Sequence, residues 1–138
     1  MNKRRVLFLC THNSARSQMA EGLLRAMAGD RFDVASAGTE ATRVRPLAVK
    51  AMAEIGIDVS GHSSKTLDRF VNESWDFVIT VCDSANESCP VFPVAAKRLH
   101  WSFPDPARAT GSDEAQLGVF RDVRDAIRWR LEAWLPTA

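Results

Sequence analysis

The sequence predicts one α/β domain in three layers, a four-stranded parallel sheet flanked by helices. Three observations carry this. Val6-Leu7-Phe8-Leu9 and the stretch 75–81 are apolar, β-rich runs of the kind that fill strands buried on both faces. Helical patterns fall between successive strands, the arrangement that yields parallel pairing. The 138 residues, 46% hydrophobic and 25% charged, suit one ordinary soluble domain, with no room for a second.

Taken in order, the first strand ends on Cys10, and a helix follows with Ala20, Leu23, Leu24 and Met27 on its apolar face, stopped by Gly29-Asp30. Residues 32–36 alternate and predict a second, more exposed strand before a turn at Ala37-Gly38-Thr39. Pro46 opens a second helix, with Leu47, Ala48, Ala51, Met52 and Ile55 inward and Gly56 as its stop. A polar stretch at 60–65 leads to a short helix over 66–71, with Leu67, Phe70 and Val71 inward. The second central strand, 75–81, ends beside Cys82. Residues 83–89 are expected to form a loose helix ended by Pro90 and Pro93, and 98–101 a short fourth strand. A long helix over about 112–135 presents Phe120, Val123, Ile127, Leu131 and Trp134 on one face, with Arg121, Asp122, Arg124, Asp125 and Arg128 expected in solvent.

The formal net charge of +1 gives no global field to draw nucleic acid or an anionic membrane, so anion selectivity must be local. Only four apolar residues precede Cys10, too few for a signal peptide, and no stretch approaches membrane-spanning length; a cytoplasmic protein is expected. Three cysteines in a reducing compartment point to chemistry rather than a disulfide framework.

In sheets of this kind ligands bind beyond the carboxyl ends of the strands, where Cys10, Cys82 and the loop after the fourth strand would meet. Between Cys10 and Arg16 lie Thr11, His12, Asn13, Ser14 and Ala15. A strand, a tight loop and a helix start place the backbone N–H groups of such a segment in a concave nest with the helix dipole behind it, a seat for an oxyanion. The same field favours a thiolate, which makes Cys10 a candidate nucleophile. Arg16 offers a planar fork for two oxygens of a tetrahedral anion, and Ser17 can donate to the sulfur. On an unbroken helix Cys82 and Cys89 would stand about 10.5 Å apart, beyond the 7 Å or so that a disulfide tolerates, so their pairing requires the segment between them to unwind.

Cys-x5-Arg-Ser directly after an apolar strand resembles the phosphate-binding loop of the low-molecular-weight protein tyrosine phosphatases and of the arsenate reductases built on that fold. The longer string CTHNSARSQMAEGLL is similar to the reductase branch. The resemblance extends from Val6 to about Leu131. It implies a low-molecular-weight phosphatase-like fold and gives Asp105, in a Pro-flanked Asp-Pro pair, the role of general acid for the departing oxygen. Phosphatases of the fold carry aromatic residues, usually tyrosines, just after that pair; here Ala107-Arg108-Ala109 follows, and the chain has no Tyr. Cys82, Cys89 and Pro90 match the Cys-x6-Cys of thioredoxin-dependent arsenate reductases. By that resemblance Cys10 attacks arsenate, Cys82 attacks Cys10 with release of arsenite, Cys89 attacks Cys82, and thioredoxin reduces the Cys82–Cys89 disulfide.

The expectation is therefore a monomeric, thioredoxin-coupled arsenate reductase that needs no bound cofactor and takes phosphate or sulfate as mimics of its substrate. A phosphomonoester hydrolase and a non-catalytic oxyanion-binding or redox-sensing module are the alternatives, and glutathione or mycothiol the other donors. His12 is expected to point away from the loop as scaffold, and Arg108 into solvent. His62 and His100 lack zinc-ligand spacing to the cysteines. Asn13, Glu21 and Ser36 match positions where some relatives bind potassium. Those relatives have a carboxylate where this chain has Lys65, whose ammonium either donates to Asn13 and Glu21 in the cation's place or stands in solvent, so no metal is expected.

Overall fold

Val6, Leu7, Phe8 and Leu9 are fully buried in the central strand β1 (Arg4–Cys10) of the computed structural model, which describes residues 3–83, 92 and 97–138. An apolar run without alternation fits this place, because both faces of the strand are covered. Four parallel strands form the sheet in the order β2-β1-β3-β4, with β2 at Phe32–Gly38, β3 at Phe77–Thr80 and β4 at Lys97–His100. The chain steps from β1 to one neighbour and later returns to its other side as β3. The carboxyl ends of β1 and β3 thus flank the crevice where such sheets take ligands.

Helices α1 (Arg16–Ala28), α2 (Pro46–Ala53) and α3 (Asp113–Trp134) all contribute to the larger core. There Met19, Leu23, Met52, Phe120, Ile127 and Leu131 meet Val6, Phe8 and Ile79. Trp134 stands edge-on to Phe77 with ring centroids 5.2 Å apart and closes the base of this layer. On the opposite face Leu7, Leu9, Ala37 and Val78 are covered by Phe70, Trp75 and Phe92. Within the described residues this third layer is thin, built around the 3-10 turn Leu67–Arg69 rather than an α-helix.

Several expectations shift. β2 continues through Ala37 and Gly38, residues expected in a turn, and Val34, Ser36, Ala37 and Gly38 are buried rather than exposed. They pair with Val6, Phe8, Leu9 and Cys10 up to the carboxyl edge of the sheet. The stretch expected as a helix over 66–71 is the single 3-10 turn. Arg124 is buried, not solvated: its Nη1 donates to the Ala51 carbonyl at 2.7 Å and to Glu54 at 3.2 Å, while Nε meets Asp125 at 2.8 Å. Asp125 and then Glu54 raise its pKa, the hydrogen bond to Asp125 foremost, with burial opposing. The expected helix over 83–89 lies, apart from Asp83, outside the described residues, as do Cys89, Pro90 and Pro93.

Candidate active site

β1 delivers Cys10 to the carboxyl edge of the sheet, where its Sγ is a buried free thiol 2.8 Å from Ser17 Oγ. The loop between them approaches β2 so closely that only glycine fits at position 38. A Cβ there would stand 2.7 Å from Asn13 N and Thr11 O, and 2.9 Å from Cys10 O.

The loop turns at Asn13, whose φ of 49° lies in the left-handed region where asparagine is among the better-tolerated side chains. Its buried side chain uses its full hydrogen-bonding capacity. Nδ2 donates to Ser17 Oγ (2.8 Å) and Ser36 Oγ (2.9 Å), while Oδ1 accepts from Gln18 Nε2 (2.9 Å) and Lys65 N (2.8 Å). Because Ser17 Oγ accepts from Asn13, its own proton is left for Cys10 Sγ. The hydroxyl hydrogen is therefore directed at the sulfur. Ser36 Oγ in turn donates to Glu21 at 2.6 Å.

α1 begins with Arg16 behind an N-cap, Ala15, that has no side-chain oxygen to offer, and no acidic residue stands in its first turn. The positive end of the helix thus faces the loop without a competing carboxylate. Arg16 is itself buried, Nη1 donating to the Phe103 carbonyl at 3.2 Å and Nη2 lying 3.8 Å from Asp105 Oδ2. Asp105 Oδ1 accepts from Ala107 N at 3.0 Å, which caps the 3-10 turn Pro106–Arg108 and directs the other oxygen toward Arg16. A thiol, a guanidinium and a carboxyl group therefore lie beyond the ends of β1 and β4, the groups expected from the sequence to serve as nucleophile, anion clamp and acid.

Thr11 and Ser14 complete the loop, Ser14 buried and Thr11 partly so. His12 turns outward to Glu40, with Nε2 3.4 Å from Oε2, as a scaffold residue would, and Arg108 is exposed. Cys82 is fully buried just past β3, whose continuation Val81 bonds to the Leu9 carbonyl at 2.8 Å. Lys65, expected either to donate its ammonium to Asn13 and Glu21 or to stand in solvent, is half-buried. Its main-chain N–H, not its ammonium, reaches Asn13, and Nζ donates to the Ser63 carbonyl at 2.6 Å. Burial lowers the Lys65 pKa, with the Glu21 carboxylate opposing. Sequence reasoning passed over Gln18, Gly38, Ser64 and the Phe103 carbonyl. The available signal was a polar Gln18 on the buried side of α1, directly after Arg16-Ser17.

A family model described as low molecular weight phosphotyrosine protein phosphatase matches residues 5–138. The chain belongs to this family. Among curated members it is 50% identical over 137 residues to the arsenate reductase of Halalkalibacterium halodurans, with 99% of each chain covered. Among solved structures, an arsenate reductase in the phosphate binding state superposes with a TM-score of 0.78 at 32% identity, over 97% of this chain and 98% of that one. The thioredoxin-dependent arsenate reductase of Corynebacterium glutamicum gives 0.66 at 26% identity, over 99% of this chain and 64% of that one. The family's fold is the parallel, helix-flanked sheet described above.

Proposed function

We propose that this protein reduces arsenate to arsenite and is regenerated by thioredoxin. The observation that carries the reading is Cys10 Sγ, 2.8 Å from Ser17 Oγ in a loop whose Arg16 faces Asp105. Its weight comes from the setting, a chain 50% identical over its length to an arsenate reductase.

In this reading the loop N–H groups and Arg16 hold the oxygens of arsenate while the Cys10 thiolate attacks arsenic. Asp105 supplies the proton that lets one oxygen leave as water. Cys82 then attacks the Cys10 sulfur; the S–As electron pair stays on arsenic, which departs as arsenite, and a Cys10–Cys82 disulfide remains. Attack by Cys89 on Cys82 returns the Cys10 thiolate and leaves Cys82–Cys89, which the thioredoxin dithiol reduces. One chain carries all three thiols, so a monomer in a reducing cytoplasm suffices, with no resident cofactor. Thioredoxin is supported by the C. glutamicum neighbour.

The test is arsenate-dependent NADPH oxidation with thioredoxin and thioredoxin reductase, repeated with glutathione- and mycothiol-linked donors. Cys89→Ser should complete one turnover and accumulate Cys10–Cys82, found by peptide mapping. Cys10→Ser should abolish all activity. Wild-type cycling of Cys89→Ser would refute the relay. Efficient aryl phosphate hydrolysis without arsenate-dependent NADPH loss would assign the site to a phosphatase.

A further inference from the structure

Every carbonyl between Cys10 and Arg16 is bonded away from the anion seat. Thr11 O accepts from Glu40 N (3.0 Å), Ser14 O from Arg45 N (2.8 Å) and Ala15 O from Met19 N (2.8 Å). The other two are held by side chains. Ser64 Oγ donates to His12 O at 3.0 Å, and Gln18 Nε2 donates to Asn13 O at 3.1 Å. In a trans peptide the N–H points opposite its C=O, so fixing the carbonyls of His12 and Asn13 outward fixes the N–H groups of Asn13 and Ser14 the other way. We propose that Gln18 and Ser64 are positioning residues of the oxyanion site, locking the two peptide units at the loop's apex so that their N–H groups face the bound anion.

Gln18 is shaped for this. Fully buried, its Nε2 faces three acceptors: Asn13 O, Asn13 Oδ1 at 2.9 Å and Ser63 O at 3.0 Å. Its Oε1 meets His62 Nδ1 at 3.0 Å. Since an amide oxygen only accepts, Nδ1 carries the imidazole proton, and Nε2 is left to accept from Arg25 Nη1 at 3.1 Å. With acceptors on one side and a donor on the other, the amide has one satisfied orientation. Ser64 Oγ is fixed in the same way, accepting from Thr42 N at 2.9 Å and so spending its proton on His12 O. The loop's direction is thereby set by residues that never touch the anion.

The inference rests on the loop being an oxyanion site, as in the function proposed above, and the experiment separates the two. Inorganic phosphate affinity is measured by titration calorimetry for the full chain, Gln18→Met, Ser64→Ala and Ser64→Thr, beside the rate of Cys10 alkylation by iodoacetamide and the urea midpoint. Gln18→Met removes the donor at similar volume and should weaken phosphate binding about tenfold or more. Ser64→Ala should weaken it by several-fold, and Ser64→Thr, which keeps the hydroxyl, should restore it. The urea midpoint of Ser64→Ala should stay near wild type, because the site is partly exposed. Phosphate affinity at wild-type level in Ser64→Ala, or equal losses in Ser64→Ala and Ser64→Thr, would overturn the positioning role even if Gln18→Met does not fold. A wild type that binds no phosphate would overturn both the inference and the oxyanion site beneath it. Phosphate binding without arsenate turnover would overturn only the proposed reaction.

Discussion

Replacing Gly38 by alanine is the sharpest test of how the loop after β1, proposed above to bind the anion, is held. The new methyl carbon would lie 2.7 Å from both Asn13 N and Thr11 O, against 3.4 Å or more for an ordinary contact, so β2 and the loop must part by about 0.7 Å. All three obstructing atoms are backbone, and no side-chain rotation relieves the clash. Overpacking of this kind costs about 1–3 kcal/mol of stability. The movement falls on the peptide units that would ligate an anion, where an error of about 1 Å is enough for a hundredfold loss of rate. Gly118→Ala is the matched control, since its Cβ meets nothing within 4 Å; in the interior of α3 it should stabilise by up to about 1 kcal/mol. Urea denaturation gives the first quantity, and calorimetric phosphate binding with steady-state turnover gives the second. A Gly38→Ala protein with wild-type phosphate affinity would refute the claim that β2 and the loop are locked in contact.

Arg16→Lys keeps the charge but loses the fork and the bond to Phe103 O, and turnover should fall by at least about a hundredfold; near-normal turnover would remove the loop from the mechanism. Asp105→Asn should slow the chemical step while changing phosphate affinity little, read as a fall in kcat with the phosphate Kd retained. Burial holds the His62 pKa below its ordinary 6.5, helped by Arg25 and Lys65 and opposed by Glu21. The unfolded chain therefore protonates first as pH falls. The stability His62 contributes above about pH 6.5 is lost as pH drops through that range toward its folded value. Urea midpoints between pH 7.5 and 5 should show this slope, and His62→Gln should flatten it.

The parts of the fold legible in the sequence were those with one strong cause. The unbroken run 6–9 could only be a central strand, and the 3.6-residue spacing of Phe120, Val123, Ile127, Leu131 and Trp134 marked a long helix that Ser112 caps. Arg124 misled because its charge outweighed its position. It lies four residues after Phe120 and three before Ile127, on the buried stripe, and is tolerated there because α2 ends with Ala51 O and Glu54 in reach. β2 was read too short because Gly38 signals a turn in sequence; its actual cause, the close passage of residues 10–13, comes from a different strand. Cys10, Arg16 and Ser17 stood out as residue types at a fixed spacing and Asp105 only through the family resemblance; the structure sets Ser17 beside Cys10 and Asp105 beside Arg16. Gln18 and Ser64 did not stand out, since their partners are carbonyl groups, which every residue carries.

Arg16 is buried, with Nη1 tied to the Phe103 carbonyl at 3.2 Å. An arginine side chain has roughly 2 kcal/mol of rotamer entropy to lose. A bond to one of the protein's own carbonyl groups takes part of that loss when the chain folds. This suits an inorganic substrate. A large ester can use contacts far from its reacting atom to organise a site, whereas a four-oxygen ion has no distant part to contribute. In the reaction proposed above, an arginine aimed by the protein's own carbonyl would let so small an anion be gripped by the atoms that react and by nothing else.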